Sequence, residues 1–431
     1  MEDKVNKSIW GLITRLSPLS ANVYGDIIKL LFIKYIAKYP DEFMHNLNSA
    51  DYLKTLLEFT RKYDAARSGD NCLTKEDLGA VLRSIDTGLS NMQTDVRLYD
   101  IVEDIPYFFD QRTQSMIMNL LDNITIYNNQ ESWKTLLDLL LTHSQMIQGK
   151  FSDETSTPVS VRNIAYNLLN ISNYEKVLNC YCGYSSLLLG DIKPGKYIGY
   201  DTNNNAALIS LITSIILKVE SEIYNKDFLY ADTHDVADKV FADAPIGLKR
   251  DVHTLQEKYQ INTKDVDILT IYQAIDSLKD NGVAVCVVPG KVLFSQSKTG
   301  ETLRNMLLNN GLKAVIMLPA LWSRTFINTN MLLIDKSYNG DVMFVKADNL
   351  GYKEKRSTSL SQEDIKKIVH SVNNEVEGIS KLVNKQQIVK EATLMPTAYL
   401  TNTSKKNVRS VQEIDEELKA LYAELKKNIK E

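Results

Sequence analysis

The sequence predicts an α/β protein: a doubly wound sheet preceded by an all-α region and followed by a helical appendix. Two observations favour this fold class. From Asn6 to about Ser144, apolar residues recur at three- and four-residue spacing without strand-like alternation. From Pro158 onward, short β-rich runs alternate with helical ones, which is typical of a doubly wound sheet. The predicted domains are a helical N-terminal domain over 1–148, an α/β domain over 149–336 and a C-terminal appendix over 337–431.

Length and charge limit the class of protein. The chain has 431 residues, enough for two or three domains with real cores. Fifty Lys and Arg against fifty-four Asp and Glu give a net charge of −4, which excludes a chain that coats nucleic acid by bulk charge. A local basic face, or a partner subunit that holds most of the DNA, remains compatible with this balance.

Cysteine usage and hydropathy indicate the compartment. The four cysteines are too few and too scattered for a disulfide scaffold, which favours a reducing cytoplasm. The start Met1–Lys4 lacks the layout of a signal peptide. The longest uncharged apolar segment, Ala206–Leu217, is far shorter than the ~20 residues of a membrane span. We therefore expect a cytoplasmic protein without a membrane partner.

The elements of the helical region follow from its apolar periodicity. The spacing predicts helices around Ile27–Tyr35, Met116–Ile124 and Leu136–Leu141. Lys29 and Lys34 interrupt the first of these runs. Several helices are therefore expected before residue 148.

In the α/β region, apolar β-branched runs predict strands buried on both faces of a sheet. The predicted strands are Tyr174–Cys180, Lys196–Asp201, Lys239–Ala242, Val283–Val288, Lys313–Leu318, Asn330–Asp335 and, in the appendix, Val342–Val345. Helices are predicted after Pro158, over Asn204–Glu220 and over Val266–Lys279. The loops at the carboxyl ends of such strands are where ligands bind.

The appendix carries two helix signals. Ser361 and Asp364 have the spacing of a capping box, followed by apolar residues at helical spacing. Beyond Val411, apolar residues spaced by three and four predict a helix that docks on a partner subunit or packs on its own domain.

The segment Asn179–Ser186 is the first that carries chemistry. A strand runs into a turn that contains Gly183, where a missing side chain lets the backbone approach a ligand. Asp201 ends the next strand, the place from which an acid accepts hydrogen bonds from ribose hydroxyls in dinucleotide-binding folds. Both an ordinary βα loop and a nucleotide-binding turn fit this pair.

Taken together, the ordered motifs resemble the modification (M) subunits of type I restriction–modification systems, which are S-adenosylmethionine-dependent adenine-N6 DNA methyltransferases. The resemblance rests on Trp10 with Leu30–Tyr35, Phe151 to Pro158, Asn179–Ser186, Asp201, Asp227, Asp243–Gly247, Leu278–Pro289, Leu312–Pro319, Thr329–Lys336 and Leu394–Leu400. It covers nearly the whole chain and implies a class I methyltransferase-like, Rossmann-like α/β domain.

The resemblance implies a catalytic role for the residues that occupy the family's Asn-Pro-Pro-Phe or Asn-Pro-Pro-Tyr tetrapeptide. Here the tetrapeptide reads Asp243-Ala244-Pro245-Ile246. Asp243 would accept a hydrogen bond from the amine of a flipped adenine, and Pro245 would keep the turn rigid. Ile246 stands where an aromatic ring stacks on the base, an interaction worth about 1–3 kcal/mol. Tyr184 and Trp322 are the aromatic candidates to replace that ring.

The resemblance also implies a site for S-adenosylmethionine as cofactor. The implied binding residues are Thr157, Pro158, Asn179, Gly183, Asp201 and Asp227. The family turn reads Asp-Pro-Ala-Cys-Gly-Ser-Gly, whereas this chain has Asn179-Cys180-Tyr181-Cys182-Gly183-Tyr184-Ser185. Asn179 therefore lacks the family's negative charge, and we expect the side chains of Tyr184 and Ser185 to stand where the backbone approaches the ligand.

The implied partners are double-stranded DNA, a specificity-type subunit that reads its sequence, and a second methyltransferase-like subunit or a restriction subunit. Basic residues that could meet phosphates or simply lie in solvent occur in Lys353–Arg356 and at Lys405, Lys406 and Arg409. An alternative hypothesis is a catalytically inactive methyltransferase-fold scaffold that binds DNA or partner subunits. No metal site is predicted, because Cys180 and Cys182 have no second Cys/His pair nearby.

Overall fold

The computed structural model describes residues 2–46, 50–89, 94–126, 128–147, 157–322, 328–353 and 358–400. Within them the predicted α/β fold class is confirmed: helices precede a large sheet of Rossmann-like topology. The N-terminal helices are α1 Glu2–Leu16, α2 Val23–Lys38, α3 Ala50–Ser68, α4 Lys75–Gly88, α5 Ile101–Asp104, α6 Gln111–Asp122 and α7 Gln130–Ile147. The later helices are α8 Val159–Leu169, α9 Asn204–Ile216, α10 His253–Tyr259, α11 Val266–Asp276, α12 Gly290–Phe294, α13 Lys298–Asn309, α14 Gln362–Asn373 and α15 Lys385–Glu391.

Nine of the strands in the described residues form one sheet. The strands are β1 Lys176–Asn179, β2 Lys196–Tyr200, β3 Ser221–Tyr224, β4 Ala237–Asp243, β5 Leu278–Pro289, β6 Leu312–Met317, β7 Thr329–Asp335, β8 Val342–Lys346, β9 Tyr352–Lys353, β10 Thr358–Ser359 and β11 Ser380–Val383. The order in the sheet is β11-β8-β6-β7-β5-β4-β1-β2-β3, and β9 and β10 form a separate hairpin. β7 runs antiparallel to β5 and β6, and β11 runs antiparallel to β8.

The seven predicted strands all occur, with ends that differ by a few residues. Four described strands were not predicted: β3 and β11, which are four residues long, and β9 and β10, which are two residues long. The helix predicted over Asn204–Glu220 ends at Ile216, because Lys218 has a left-handed φ of 54° that a helix does not tolerate. Ser361 and Asp364 form the predicted capping box of α14.

The segment after Lys336 contributes β8 and β11 to the same sheet as the preceding region. The division into three domains therefore stays a prediction, with its second boundary lying between two strands of one sheet. The predicted tail helix beyond Val411 lies outside the described residues, as do Glu354–Arg356 and the basic residues after 400.

Helix α2 is the centre of the helical region. It is buried from Val23 to Ala37, including two lysines that interrupt its apolar pattern. Lys29 makes ion pairs with Asp26 at 3.2 Å and with Asp104 at 2.7 Å. Burial lowers the pKa of Lys34 to about 8, while its ammonium group donates to the carbonyl of Ile124 at 2.9 Å. Buried charge is tolerated here because each ammonium group has partners.

A continuous hydrophobic core joins the helical region to one face of the sheet. It includes Leu31 and Ile36 of α2 together with Ile209 and Ile212 of α9, which packs on α2. A second cluster, with Leu269 of α11, covers the opposite face. The sheet therefore lies between two apolar layers. No helix in the described part of the chain is long and apolar enough to cross a membrane.

Candidate functional site

Strands β1, β2 and β4 bring the ends of three chemistry-bearing segments to one edge of the sheet. β1 pairs in parallel with both β2 and β4, and Asn179 lies opposite Gly199 on one side and Phe241 on the other. Asp201 and Asp243 therefore lie at the same carboxyl edge as Asn179. The chain reverses its direction of progress across the sheet at the β1/β4 boundary, the switch point where open α/β sheets bind ligands.

The turn after β1 is held by Asp201. Gly183 has a left-handed φ of 51°, and its amide donates to Asp201 Oδ2 at 2.9 Å. The other carboxylate oxygen of Asp201 accepts from the amide of Asn203 at 2.8 Å. Burial raises the pKa of Asp201, while these two amides act in the opposite direction. Gly183 and Asp201, two of the predicted site residues, are thus in direct contact.

Asn179 presents an unused acceptor beside this turn. Its side chain is buried, with 3% exposure, and its Nδ2 donates to the hydroxyl of Tyr197 at 3.0 Å. Its Oδ1 is buried and has no hydrogen-bond partner among the described residues. A buried acceptor without a partner costs about 1–3 kcal/mol, so an N–H donor from a ligand would be stabilising here.

The side chains of Tyr184 and Ser185 point into the protein, contrary to expectation. Ser185 is fully buried with a left-handed φ of 56°, and its Oγ donates to the Tyr197 hydroxyl at 2.9 Å. The buried Tyr184 hydroxyl donates to Asn22 Oδ1 at 2.7 Å. The side chains of both residues therefore make contacts inside the protein. Trp322, the other aromatic candidate, is also buried.

Asp227 lies after β3, in the short turn that ends with Tyr230. Its Oδ1 accepts from the amide of Leu229 at 3.0 Å, and its Oδ2 lies 3.5 Å from Nε of Arg250. Arg250, four residues after the Asp243–Ile246 tetrapeptide, was not predicted as a site residue, and its guanidinium group links the segment after the tetrapeptide to Asp227. Tyr181 and Phe228 pack edge to face nearby, with ring centroids 6.1 Å apart.

Asp243 ends β4, and its carboxylate is held by the hydroxyl of Thr157. The Thr157 Oγ1 donates to Asp243 Oδ2 at 2.9 Å. Burial raises the pKa of Asp243 to about 6, and the hydrogen bond from Thr157 opposes that rise. Pro158, next to Thr157, is buried as the residue before α8. The structure thus pairs Thr157 with the catalytic candidate rather than with the other predicted cofactor residues.

The rest of the tetrapeptide forms a turn with Pro245 at its exposed point. Ala244 is buried, Pro245 is exposed and Ile246 is half-buried. Gly247 closes the turn with φ of 77°, and its amide donates to Oδ2 of the buried Asp267 at 3.3 Å. Asp267 was not predicted as a site residue; its position in the first turn of α11 was the available signal.

The cysteines near the site lie in the protein interior. Cys180, Cys182 and Cys286 are buried and free, and burial raises the pKa of the Cys182 thiol. Within the described ranges, no group of three His, Cys, Asp or Glu residues is placed to hold a metal ion.

The chain is similar to known proteins in sequence and in fold. The profile of the N-6 DNA Methylase family matches residues 136–407. The methylase subunit of the type I restriction enzyme MpnII from Mycoplasma pneumoniae is 22% identical over 300 residues, 61% of this chain and 55% of that protein. This chain thus spans just over half the length of the curated relative that it matches.

Solved structures show the same fold. The methyltransferase subunit of a type I restriction–modification system from Streptococcus thermophilus superposes with a TM-score of 0.74 at 17% identity, covering 93% of this chain and 100% of that one. A modification subunit of a putative type I restriction enzyme from Vibrio vulnificus gives a TM-score of 0.63 at 15% identity, covering 90% of this chain and 93% of that one. The resemblance found in the sequence is confirmed, and the chain belongs to the N-6 DNA methylase family.

Proposed function

We propose that this protein is an S-adenosylmethionine-dependent adenine-N6 DNA methyltransferase, the modification subunit of a type I restriction–modification or related defence complex. The observation that carries the proposal is the Asp243 carboxylate at the carboxyl end of β4, oriented by Thr157 beside the Gly183–Asp201 turn. Methyl transfer to the adenine amine requires a hydrogen-bond acceptor at this place in the protein.

The role of Asp243 follows from the reactivity of the target amine. The nitrogen of an adenine amine is a weak nucleophile, because its lone pair is delocalised into the ring. A carboxylate that accepts a hydrogen bond from this amine keeps the lone pair directed toward the methyl donor. Thr157 fixes one oxygen of Asp243, which leaves the other oxygen for the substrate. The bound cofactor supplies the methyl group.

The residues at the cofactor turn fit S-adenosylmethionine. Asn179 Oδ1 is a buried acceptor that lacks a partner in the described residues, and it suits the positive amino group of the cofactor. Asp201 and Asp227 would accept hydrogen bonds from the ribose hydroxyls and the adenine. Gly183, with its left-handed φ, keeps the backbone of the turn clear of a side chain.

DNA recognition is assigned to the complex rather than to this chain alone. A net charge of −4 gives little bulk attraction to phosphates. This charge is consistent with an assembly in which a specificity subunit reads the DNA sequence. The assembly would also contain a second methyltransferase-like subunit or a restriction subunit. The target adenine of the double-stranded DNA would be flipped out of the stack to reach Asp243.

One observation favours the second candidate, an inactive scaffold that binds DNA or partner subunits. Ile246 occupies the place of the stacking aromatic and has no π face. At about 1–3 kcal/mol, the loss of stacking slows methyl transfer by about 5- to 150-fold, which weakens an enzyme without abolishing it.

The experiment is a methyl-transfer assay with the purified chain and its specificity subunit. Genomic DNA from a host without adenine methylation presents all target sequences, and N6-methyladenine is quantified by mass spectrometry. We expect N6-methyladenine with the unaltered chain and none above background with Asp243→Ala. Binding of DNA and of the specificity subunit without any N6-methyladenine would identify the scaffold instead.

A further inference from the structure

We propose that the helical region completes the cofactor site: Tyr184 is a positioning residue that ties the cofactor turn to Asn22 at the start of α2. This inference rests on the proposed function, since it concerns how tightly the same turn binds S-adenosylmethionine.

The turn is held in an uncommon backbone conformation. Gly183 and Ser185 both have left-handed φ values, 51° and 56°, on either side of Tyr184. A non-glycine residue in this region is strained and persists only when surrounding contacts hold it. The turn therefore depends on its anchors for the geometry that it presents to a ligand.

Among the contacts that hold the turn, three side-chain anchors flank or include Tyr184, and they come from different parts of the chain. Asp201 at the end of β2 accepts from the Gly183 amide at 2.9 Å. Ser185 Oγ donates a hydrogen bond to the hydroxyl of Tyr197 at 2.9 Å and is also hydrogen-bonded to the hydroxyl of Ser210 in α9. The third anchor is the hydrogen bond from the Tyr184 hydroxyl to the helical region.

The hydrogen bond from Tyr184 ends on Asn22, a residue that is itself held by the start of α2. Asn22 is the N-cap of α2, and its Oδ1 accepts both from the Gly25 amide at 3.2 Å and from Tyr184 at 2.7 Å. A β-carbon on Gly25 would meet the Asn22 side chain at 2.5 Å, so the cap is closely packed. α2 itself is buried from Val23 to Ala37. Any displacement of α2 would thus be transmitted through Asn22 to the middle residue of the cofactor turn.

The consequence is thermodynamic coupling between the helical region and the cofactor. If α2 and Asn22 stabilise the binding geometry of the turn, then the cofactor must in return stabilise α2 against local opening. Removal of one hydrogen bond of this kind weakens cofactor binding by about two- to tenfold.

The test compares cofactor affinity with stability in the full-length chain. Calorimetric titration with S-adenosylmethionine should give a Kd about two- to tenfold higher for Tyr184→Phe than for the unaltered chain. The matched control Tyr39→Phe removes another tyrosine hydroxyl hydrogen bond, 2.9 Å to the carbonyl of Ile126 within the helical region, and should leave Kd unchanged.

Hydrogen exchange supplies the second readout. The cofactor should slow amide exchange in α2 of the unaltered chain, and this protection should be reduced in Tyr184→Phe. Equal Kd values for Tyr184→Phe and the unaltered chain, with or without a change in melting temperature, would overturn the inference and leave the proposed function standing. Absence of cofactor binding by the unaltered chain would overturn the proposed function, and the inference with it.

Discussion

At the scale of single residues, the catalytic candidates were predictable and their surroundings were not. The motif order predicted that Asp243, Gly183 and Asp201 lie at strand ends or in the turns that follow them, and they lie there in the fold. Their roles in binding and catalysis stay predictions. Arg250 and Asp267 were missed, because each acts through a contact that only the folded loops create. The burial of the Tyr184 and Ser185 side chains could not be predicted from the sequence either, since it depends on the left-handed backbone angles of the turn.

The raised pKa of Asp243 predicts a pH-dependent effect of Asp243→Asn on stability. The carboxyl has a pKa of about 6 in the fold against 3.8 without it, so the folded state holds the proton more tightly. The stabilising contribution of the protonated form is complete below pH 3.8 and is lost as pH rises through about 6. Neutral asparagine avoids the buried charge, so we expect stabilisation of up to about 3 kcal/mol at pH 7.5.

Urea unfolding at pH 7.5 and pH 4.5 measures this effect. The increase in unfolding free energy from Asp243→Asn should be larger at pH 7.5 than at pH 4.5. The exposed Asp232→Asn is the control and should have a similar small effect at both values. An Asp243→Asn variant with the same unfolding free energy as the unaltered chain at pH 7.5 would show that the carboxylate is not destabilised by burial.

Ile246→Phe should increase the rate of methyl transfer. A phenylalanine restores the π face that stacks on a flipped base, worth about 1–3 kcal/mol, which corresponds to a gain of about fivefold or more. Single-turnover rates with the assembled complex measure the gain, and Ile246→Leu is the control that keeps an apolar side chain without a π face. Equal rates for the two variants would mean that no base stacks at position 246.

At the scale of elements, the sequence was sufficient to predict those elements whose formation depends on nearby residues. Seven strands and the capping box of α14 were predicted from the sequence, and all occur. The short strands β3 and β11 were not predicted, because four residues carry too weak a local signal. Their extended conformation depends on pairing with β2 and β8. The burial of Lys29 and Lys34 in α2 was likewise set by tertiary partners.

Ser361→Ala should destabilise the protein by about 1 kcal/mol. Ser361 Oγ caps the amide of Asp364 at 3.1 Å, and Asp364 Oδ2 accepts from the amide of Ser361 at 2.9 Å. Since α14 packs on α8 and β8, loss of the cap should lower the midpoint of global urea unfolding. Ser361→Thr keeps the capping oxygen and should retain most of the stability. A midpoint that does not move in Ser361→Ala would contradict an energetic role for this cap.

At the scale of the whole molecule, the helical region and the sheet share one hydrophobic core. Composition and periodicity separated these regions correctly by secondary structure. They could not reveal that α2 packs on α9, because contacts between distant segments leave no periodic trace. Polar contacts reinforce the junction, as in the hydrogen bond from Thr94 Oγ1 to the carbonyl of Ile223 at 2.6 Å.

A shared core predicts that the helical region and the sheet unfold together. Differential scanning calorimetry of the full chain should show one transition, with equal calorimetric and van't Hoff enthalpies. A chain that begins at residue 149 should expose one apolar face of the sheet and lose this transition. Two resolved transitions, one of them unchanged by deletion of residues 1–148, would indicate independent domains.

The central claim is that the Asp243 carboxylate accepts the hydrogen bond from the target amine. The pH dependence of the single-turnover methyl-transfer rate, measured with the complex and DNA between pH 5 and 8, tests it most directly. With a pKa of about 6, the unaltered chain should gain activity as pH rises through about 6, because only the ionised carboxylate is a full acceptor. Asp243→Asn, an acceptor that does not titrate, should be active without that rise. The same pH profile in both proteins, or full activity in Asp243→Ala, would contradict the claim.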